Sequence, residues 1–147
     1  MTKTIRAGLL LAGMMLFSAT TQAVLLDQQW DDWYGNISAM EFEINTQNAA
    51  GEVLTLTCAS GKLAVAYSVP AEDYRVSSQT GLAEPGLSIN GTNHPLDETA
   101  FTALKAAGEK GVIKITSMNL AISKKFSAKG LGDALADATW QDCINHA

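Results

Sequence analysis

Residues 30–34 form the local cluster whose side chains are best suited to bind a ligand, with the sequence Trp-Asp-Asp-Trp-Tyr. Aromatic rings stack on sugars or anchor protein partners, and neighbouring carboxylates accept hydrogen bonds. On an extended strand, Trp30 and Asp32 would share one face. Asp31 and Trp33 would share the other. The alternative is structural, with a tryptophan near the start of the domain closing one end of the core. The candidate binding residues are Trp30, Asp31, Asp32 and Trp33.

Metal binding and nucleophilic catalysis lack the side-chain spacing that they need. The histidines are His94 and His146, and no His-x-x-x-His pair or clustered Cys/His pattern occurs. Gly-x-Ser-x-Gly is absent, and residues 60–62, Ser-Gly-Lys, do not form a phosphate loop. We therefore predict no metal site, no cofactor and no catalytic residue. Acid–base chemistry by two carboxylates needs no shared motif, so it stays open.

The two cysteines, Cys58 and Cys143, lie 85 residues apart. A redox site usually has its cysteines close together, as in Cys-x-x-Cys. Exported chains meet an oxidising compartment, where paired cysteines normally bridge. We predict a structural Cys58–Cys143 disulfide, which the chain-entropy model values at roughly 4–5 kcal/mol. Two buried thiols are the alternative.

The chain begins with the pattern of a secretory signal peptide. Lys3 and Arg6 precede an uncharged, apolar run over residues 7–19, and a polar stretch then ends in the small residue Ala23. A helix of this run would span about 20 Å, less than the ~30 Å hydrocarbon core of a bilayer. We predict that residues 1–23 are a cleaved signal peptide and no stable membrane anchor. Residues 24–147 would be one exported domain in the periplasm, since the signal is typical of bacterial export.

Charge restricts the partners of the exported domain. Residues 24–147 carry fifteen acidic and eight basic side chains, which argues against nucleic acid and anionic lipid, because both need Lys and Arg. Residues 24–98 hold eleven of the acids and two of the bases. The uneven charge is either incidental or marks an acidic face for a basic partner, whose attraction would weaken as salt rises.

Alternating apolar side chains predict several strands. In residues 53–69, Leu54, Leu56 and Cys58 share one face before a Ser-Gly turn, and a second alternating run follows, which is typical of a β-hairpin. Residues 37–44 alternate as well and predict one strand. The polar residues 45–51 would then form a turn.

The second half of the chain adds strands and two short helices. Asn90-Gly91 predicts a tight turn, residues 112–117 a strand, and Asp97 the N-cap of a helix over 98–107. An apolar stripe over residues 131–138 predicts the last helix, just before Cys143. The fold class is thus mainly β (α+β): a small antiparallel β-sandwich or sheet with two short helices and one disulfide.

Three stretches carry a resemblance to a known family. Residues 50–58 read Ala-Gly-Glu-Val-Leu-Thr-Leu-Thr-Cys, residues 63–67 Leu-Ala-Val-Ala-Tyr, and residues 126–135 Phe-Ser-Ala-Lys-Gly-Leu-Gly-Asp-Ala-Leu. With the Trp-led acidic start and the final cysteine, this arrangement resembles small periplasmic proteins of the type VI secretion-associated accessory family. The charged residues expected in the middle of that family are not evident here. The resemblance implies a non-enzymatic periplasmic β-sandwich linked to a secretion apparatus.

Three functions are consistent with these observations. The first is a periplasmic, non-catalytic binding or accessory protein that acts through a protein–protein surface in its acidic half. The second is an inhibitor or immunity-type protein that blocks a partner enzyme, a role that suits small, acidic, disulfide-closed domains. The third is a small hydrolase of envelope polymers.

Overall fold

A computed structural model describes residues 28–38, 41–59 and 61–144, so the predicted signal peptide lies outside the described residues. The first half of the chain forms a six-stranded antiparallel sheet in which each strand pairs with the next in sequence. Its strands are β1 (Gln28–Trp30), β2 (Trp33–Ile37), β3 (Phe42–Gln47), β4 (Val53–Ala59), β5 (Lys62–Val69) and β6 (Tyr74–Ser77). A 3-10 turn, Pro70–Glu72, joins the last two.

The second half forms another antiparallel sheet and three short helices. Its strands are β7 (Pro85–Ile89), β8 (Thr92–Pro95), β9 (Val112–Ser117), β10 (Leu120–Ala121) and β11 (Phe126–Ser127). The order is β10-β9-β7-β8, and β11 also pairs with β9. The helices are α1 (Glu98–Lys105), α2 (Leu131–Ala134) and α3 (Trp140–Ile144). Among the described residues, no helix is long and apolar enough to cross a membrane.

The predicted fold class is confirmed, and the described residues form one helix more than expected. The hairpin over residues 53–69 forms as β4 and β5, in the register Val53↔Ser68 to Ala59↔Lys62. Asn90 and Gly91 take positive φ angles of 52° and 87° and join β7 to β8. The Asp97 carboxylate caps α1 by accepting a hydrogen bond from the backbone N of Thr99 at 2.9 Å.

The prediction of one strand over residues 37–44 is wrong. The chain reverses between β2 and β3, where the backbone N of Ser38 donates to the carbonyl oxygen of Glu41 at 2.9 Å. Ile37 therefore pairs with Phe42 across two strands. The polar turn predicted from residue 45 starts later, because β3 continues to Gln47 and buries Thr46 completely.

The core lies between the two sheets and is covered at one side by the helices. Alternating residues of both sheets meet there, and α1 adds Phe101 and Leu104. The largest fully buried side chains are Trp33, Ile44, Leu54, Leu56, Val65, Leu87, Leu104, Ile113, Ile115, Phe126, Leu131 and Leu135. Burial of this apolar surface is the main force that holds the sheets together.

Candidate functional site

The aromatic–acidic cluster at residues 30–33 is a β-hairpin and not a continuous strand. Trp30 pairs with Trp33 across the β1–β2 turn, whose two residues are Asp31 and Asp32. Asp31 takes a positive φ of 54°, which an Asp tolerates better than most residues. The expected sharing of strand faces is therefore wrong, because the chain turns back between the two tryptophans.

The two tryptophans of this hairpin have different surroundings. Trp33 is 0% exposed and its Nε1 donates to the carbonyl oxygen of Ser127 at 2.9 Å. Trp33 thus fills the core. Trp30 is only partly buried and lines a surface cleft. Trp30 is therefore the member of the pair that a ligand can reach.

The hairpin turn is fixed to the rest of the fold through its backbone. The hydroxyl of Thr46 donates to the carbonyl oxygen of Asp32 at 2.6 Å, and the backbone N of Asp32 donates to the carbonyl oxygen of Lys129 at 3.3 Å. The side chains of Asp31 and Asp32 are exposed. They do not line the cleft beside Trp30.

A glycine permits the close approach between this hairpin and residues 126–131. Gly130 has a φ of +91°, and a Cβ added there would lie 1.8 Å from the carbonyl oxygen of Trp30. A larger residue at position 130 would therefore push the hairpin away. Residues 30–33 and residues 126–131 are thus in direct contact.

The cleft beside Trp30 has a volume of about 350 Å³ and an acidic rim; we call it the acidic cleft. It lies between β1–β3 on one side and residues 133–143 on the other. Of the described residues that line it, none is a lysine or arginine and four carry carboxylates: Glu41, Asp133, Asp137 and Asp142. Its apolar lining comprises Trp30, Ile37, Phe42, Ala134 and Ala138.

The predicted disulfide is confirmed and forms part of the floor of the acidic cleft. Cys58 at the end of β4 bonds to Cys143 in α3, with their Cα atoms 5.5 Å apart. Both cysteines are 1% exposed. The bond joins the last helix to the first sheet, as expected for two cysteines brought together from opposite ends of the domain.

The wall of the cleft formed by α3 is held by its own cap and by α1. The backbone N of Thr139 donates to Oδ2 of Asp142 at 3.2 Å, and the backbone N of Asp142 donates to the hydroxyl of Thr139 at 3.0 Å. These reciprocal bonds form a capping box. The Trp140 ring contacts Phe101 of α1, with centroids 5.7 Å apart. Asp142 therefore stabilises the start of α3 in addition to contributing negative charge to the cleft.

A second polar cluster, around Glu52, joins the two sheets. Glu52 is 9% exposed and accepts hydrogen bonds from the Tyr67 hydroxyl, from Asn48 Nδ2 at 2.8 Å and from the backbone N of Lys124 at 2.8 Å. Burial raises the pKa of Glu52, but the hydrogen bonds from Tyr67, Asn48 and Lys124, together with the charge of Lys124, outweigh it and lower the pKa from its usual value. Burial and the bond to Glu52 raise the pKa of Tyr67. The hydrogen bonds of this cluster therefore connect the two sheets and stabilise their packing.

The two histidines are the remaining candidate residues from the sequence. His94 lies on β8 and is half-buried, whereas His146 falls outside the described residues. Within the described ranges, no group of three His, Cys, Asp or Glu side chains is arranged to hold a metal ion.

The sequence prediction included Trp30, which lines the cleft, and the disulfide, but it did not include the four carboxylates of the cleft. Asp142 carried a signal, because Thr139-x-x-Asp142 has the spacing of a capping box. Glu41 carried none of its own. It reaches the cleft because its neighbour Phe42 pairs with Cys58, which bonds to Cys143.

Comparison with family models, with curated proteins and with solved structures gives no match for this chain.

Proposed function

We propose that this chain is a periplasmic, non-catalytic binding protein that holds a basic segment of a protein partner in the acidic cleft. The observation that carries the proposal is the composition of the cleft. Four carboxylates line the same cleft as the half-buried Trp30, and none of the described lining residues carries a compensating positive charge.

The chemistry of the cleft suits a Lys or Arg side chain. The carboxylates attract the charged head group, and an arginine can bind one of them with two parallel hydrogen bonds. The indole ring of Trp30 offers a face for a cation–π contact. Trp30, Phe42 and Ala138 also provide an apolar surface for the methylene groups of the basic side chain.

The size of the cleft restricts its occupant. About 350 Å³ is at the lower end of the range of small-ligand pockets. It can take one or two long side chains of a partner and not a folded domain. We expect the partner to insert a basic loop or terminus while the surrounding surface makes weaker contacts.

The proposed periplasmic location rests on one structural observation and one sequence pattern. The disulfide is typical of oxidising compartments. The signal-peptide pattern over residues 1–23 supports a bacterial periplasm as that compartment. The resemblance to type VI accessory proteins would make a component of a secretion apparatus the partner.

Binding of a fluorescent hexa-arginine peptide tests the charge of the cleft. We expect the double variant Glu41→Gln/Asp137→Asn to weaken binding roughly 2- to 30-fold, since an exposed ion pair is worth about 0.2–1 kcal/mol. The matched control, Glu72→Gln/Glu109→Gln, removes two exposed carboxylates elsewhere and should change binding little. Equal weakening by both variants would show that only net charge matters, and would contradict the proposal.

The turn carboxylates need a separate test. Charge reversal at Asp31 and Asp32 would weaken capture of a periplasmic partner if the partner extends over the hairpin. The loss should shrink at high salt, because screening acts on exposed charges. Unchanged capture would confine the binding surface to the acidic cleft.

Capture from a periplasmic extract, followed by mass spectrometry, identifies the partner. A captured enzyme that loses activity in the complex would make this chain an inhibitor. Turnover of cell-wall or glycan substrates by the purified protein would replace the binding proposal with a hydrolase.

A further inference from the structure

The Cys58–Cys143 disulfide contributes to two features of the structure. It lies in the floor of the acidic cleft, and it ties α3 to the end of β4. Because Asp142 and Cys143 of α3 both line the cleft, one wall of the cleft depends on the helix that the disulfide holds.

The helix α3 is too short to keep its place by itself. It has five residues. Isolated helices of that length are unstable, because the free-energy cost of nucleation exceeds the gain from the hydrogen bonds of a single turn. Its capping box closes within the same segment and so does not attach it to the sheets. The ring contact of Trp140 with Phe101 is a noncovalent attachment to α1.

The two sheets, in contrast, depend little on α3 for their core, to which it adds the buried Cys143 and the partly buried Trp140 and Ile144. None of the largest fully buried side chains of the described residues comes from α3. In the hairpin that carries Cys58, β4 pairs with β3 from Val53 to Cys58, and β5 pairs with β6 over part of its length. Loss of the disulfide should therefore release α3 before it disrupts the sheets.

We propose that the acidic cleft is a redox-assembled site, complete only while the Cys58–Cys143 disulfide is intact. The inference rests on the proposed function of the cleft. A dithiol reductant supplies two electrons and two protons, the S–S bond breaks, and Cys58 and Cys143 become thiols while the dithiol becomes a cyclic disulfide. Released α3 then carries Asp142 and one wall away from Trp30.

Binding and reduction should oppose each other. A basic side chain in the cleft lies over the disulfide, whose sulfur-bearing residues are already 1% exposed. Thermodynamic linkage requires that, if reduction weakens binding by a given factor, binding makes the disulfide harder to reduce by the same factor. The occupant thus protects the bond that completes its own site.

The test compares the oxidised protein, the protein reduced with dithiothreitol, and the double variant Cys58→Ala/Cys143→Ala. Binding of the hexa-arginine peptide and backbone hydrogen exchange are measured on each. We expect reduced protein and variant to bind at least tenfold more weakly, with fast exchange in residues 139–144 and retained protection in β3, β4, β7 and β9. Dithiothreitol should leave the variant unchanged.

Three results would overturn the inference, and they are distinguishable. Equal binding before and after reduction would leave the proposed function standing and refute redox assembly. Loss of protection in both sheets would mean that the bond maintains the whole fold and does not gate one site. Failure of the oxidised protein itself to bind the peptide would refute the proposed function and, with it, the regulation of the site.

Discussion

The indole Nε1 of Trp33 donates a hydrogen bond of 2.9 Å to the carbonyl oxygen of Ser127, 94 residues later in the chain. The bond joins β2 of the first sheet to β11 of the second sheet. A buried indole needs such a partner, because an unsatisfied N–H in the core is costly. The pair therefore fixes the hairpin of residues 30–33 against the segment that leads into α2.

Replacement of this indole should weaken the fold. We expect Trp33→Phe to lower the free energy of unfolding by about 2–3 kcal/mol, since it removes the hydrogen bond and leaves a cavity. Urea unfolding measures the loss. Trp30→Phe is the matched control and should cost less than about 1 kcal/mol, because Trp30 is only partly buried. Equal losses of unfolding free energy in the two variants would show that the buried indole of Trp33 stabilises the fold no more than the partly buried Trp30.

The contact of Gly130 with the hairpin gives a prediction with a closely matched control. Gly130→Ala places a Cβ 1.8 Å from the carbonyl oxygen of Trp30, whereas Gly108 has a similar positive φ and open space around it. Gly108→Ala should cost about 1–2 kcal/mol from backbone strain alone. Gly130→Ala should cost about 2 kcal/mol more, since the hairpin must move. Equal melting curves for the two variants would contradict the contact.

Local signals predicted the elements whose geometry depends on adjacent residues. The β4–β5 hairpin follows from alternation around a short turn, and the β7–β8 turn follows from Asn90-Gly91. The β1–β2 hairpin was missed because alternation alone cannot show where a chain reverses. Asp31 and Asp32 form that turn at positions where a continuing strand was equally consistent with the pattern.

The acidic cleft depends on contacts that no local signal reports. Glu41 and Asp137 are almost a hundred positions apart, and they line one cleft because the disulfide brings α3 to β4. The disulfide itself was predictable from the cysteine count. The missing step was the pairing of Phe42 with Cys58, which sets Glu41 beside the bond.

The β9–β10 turn holds a residue that its backbone conformation disfavours. Met118 and Asn119 take φ angles of +53° and +65°, and Met118 is 59% exposed. Asn adopts this region more readily than Met. We therefore expect Met118→Asn to raise the free energy of unfolding by about 0.5–1 kcal/mol in urea titrations.

Leu120 provides the control for this substitution. Leu120 is 71% exposed and belongs to β10, where its φ is not positive. Leu120→Asn also removes an exposed apolar side chain, but it relieves no strain and places a weak strand former in β10. It should not stabilise the protein. An equal rise in the free energy of unfolding of both variants would show that the effect comes from removing an exposed apolar side chain and not from relieving backbone strain.

The buried carboxylate of Glu52 should make stability depend on acidity. Hydrogen bonds from Tyr67, Asn48 and Lys124 lower its folded pKa below the unfolded pKa, so the unfolded chain binds more protons in the acid range. The stability from Glu52 is complete above the unfolded pKa and is lost as pH falls through the folded pKa. Urea unfolding between about pH 3 and pH 7 should therefore show a falling acid limb. Glu52→Gln should lower stability at pH 7 by about 1–3 kcal/mol and flatten that limb. Glu109→Gln, on the exposed surface, should leave the slope unchanged; identical slopes for all three proteins would show that Glu52 does not lock the sheets by its charge.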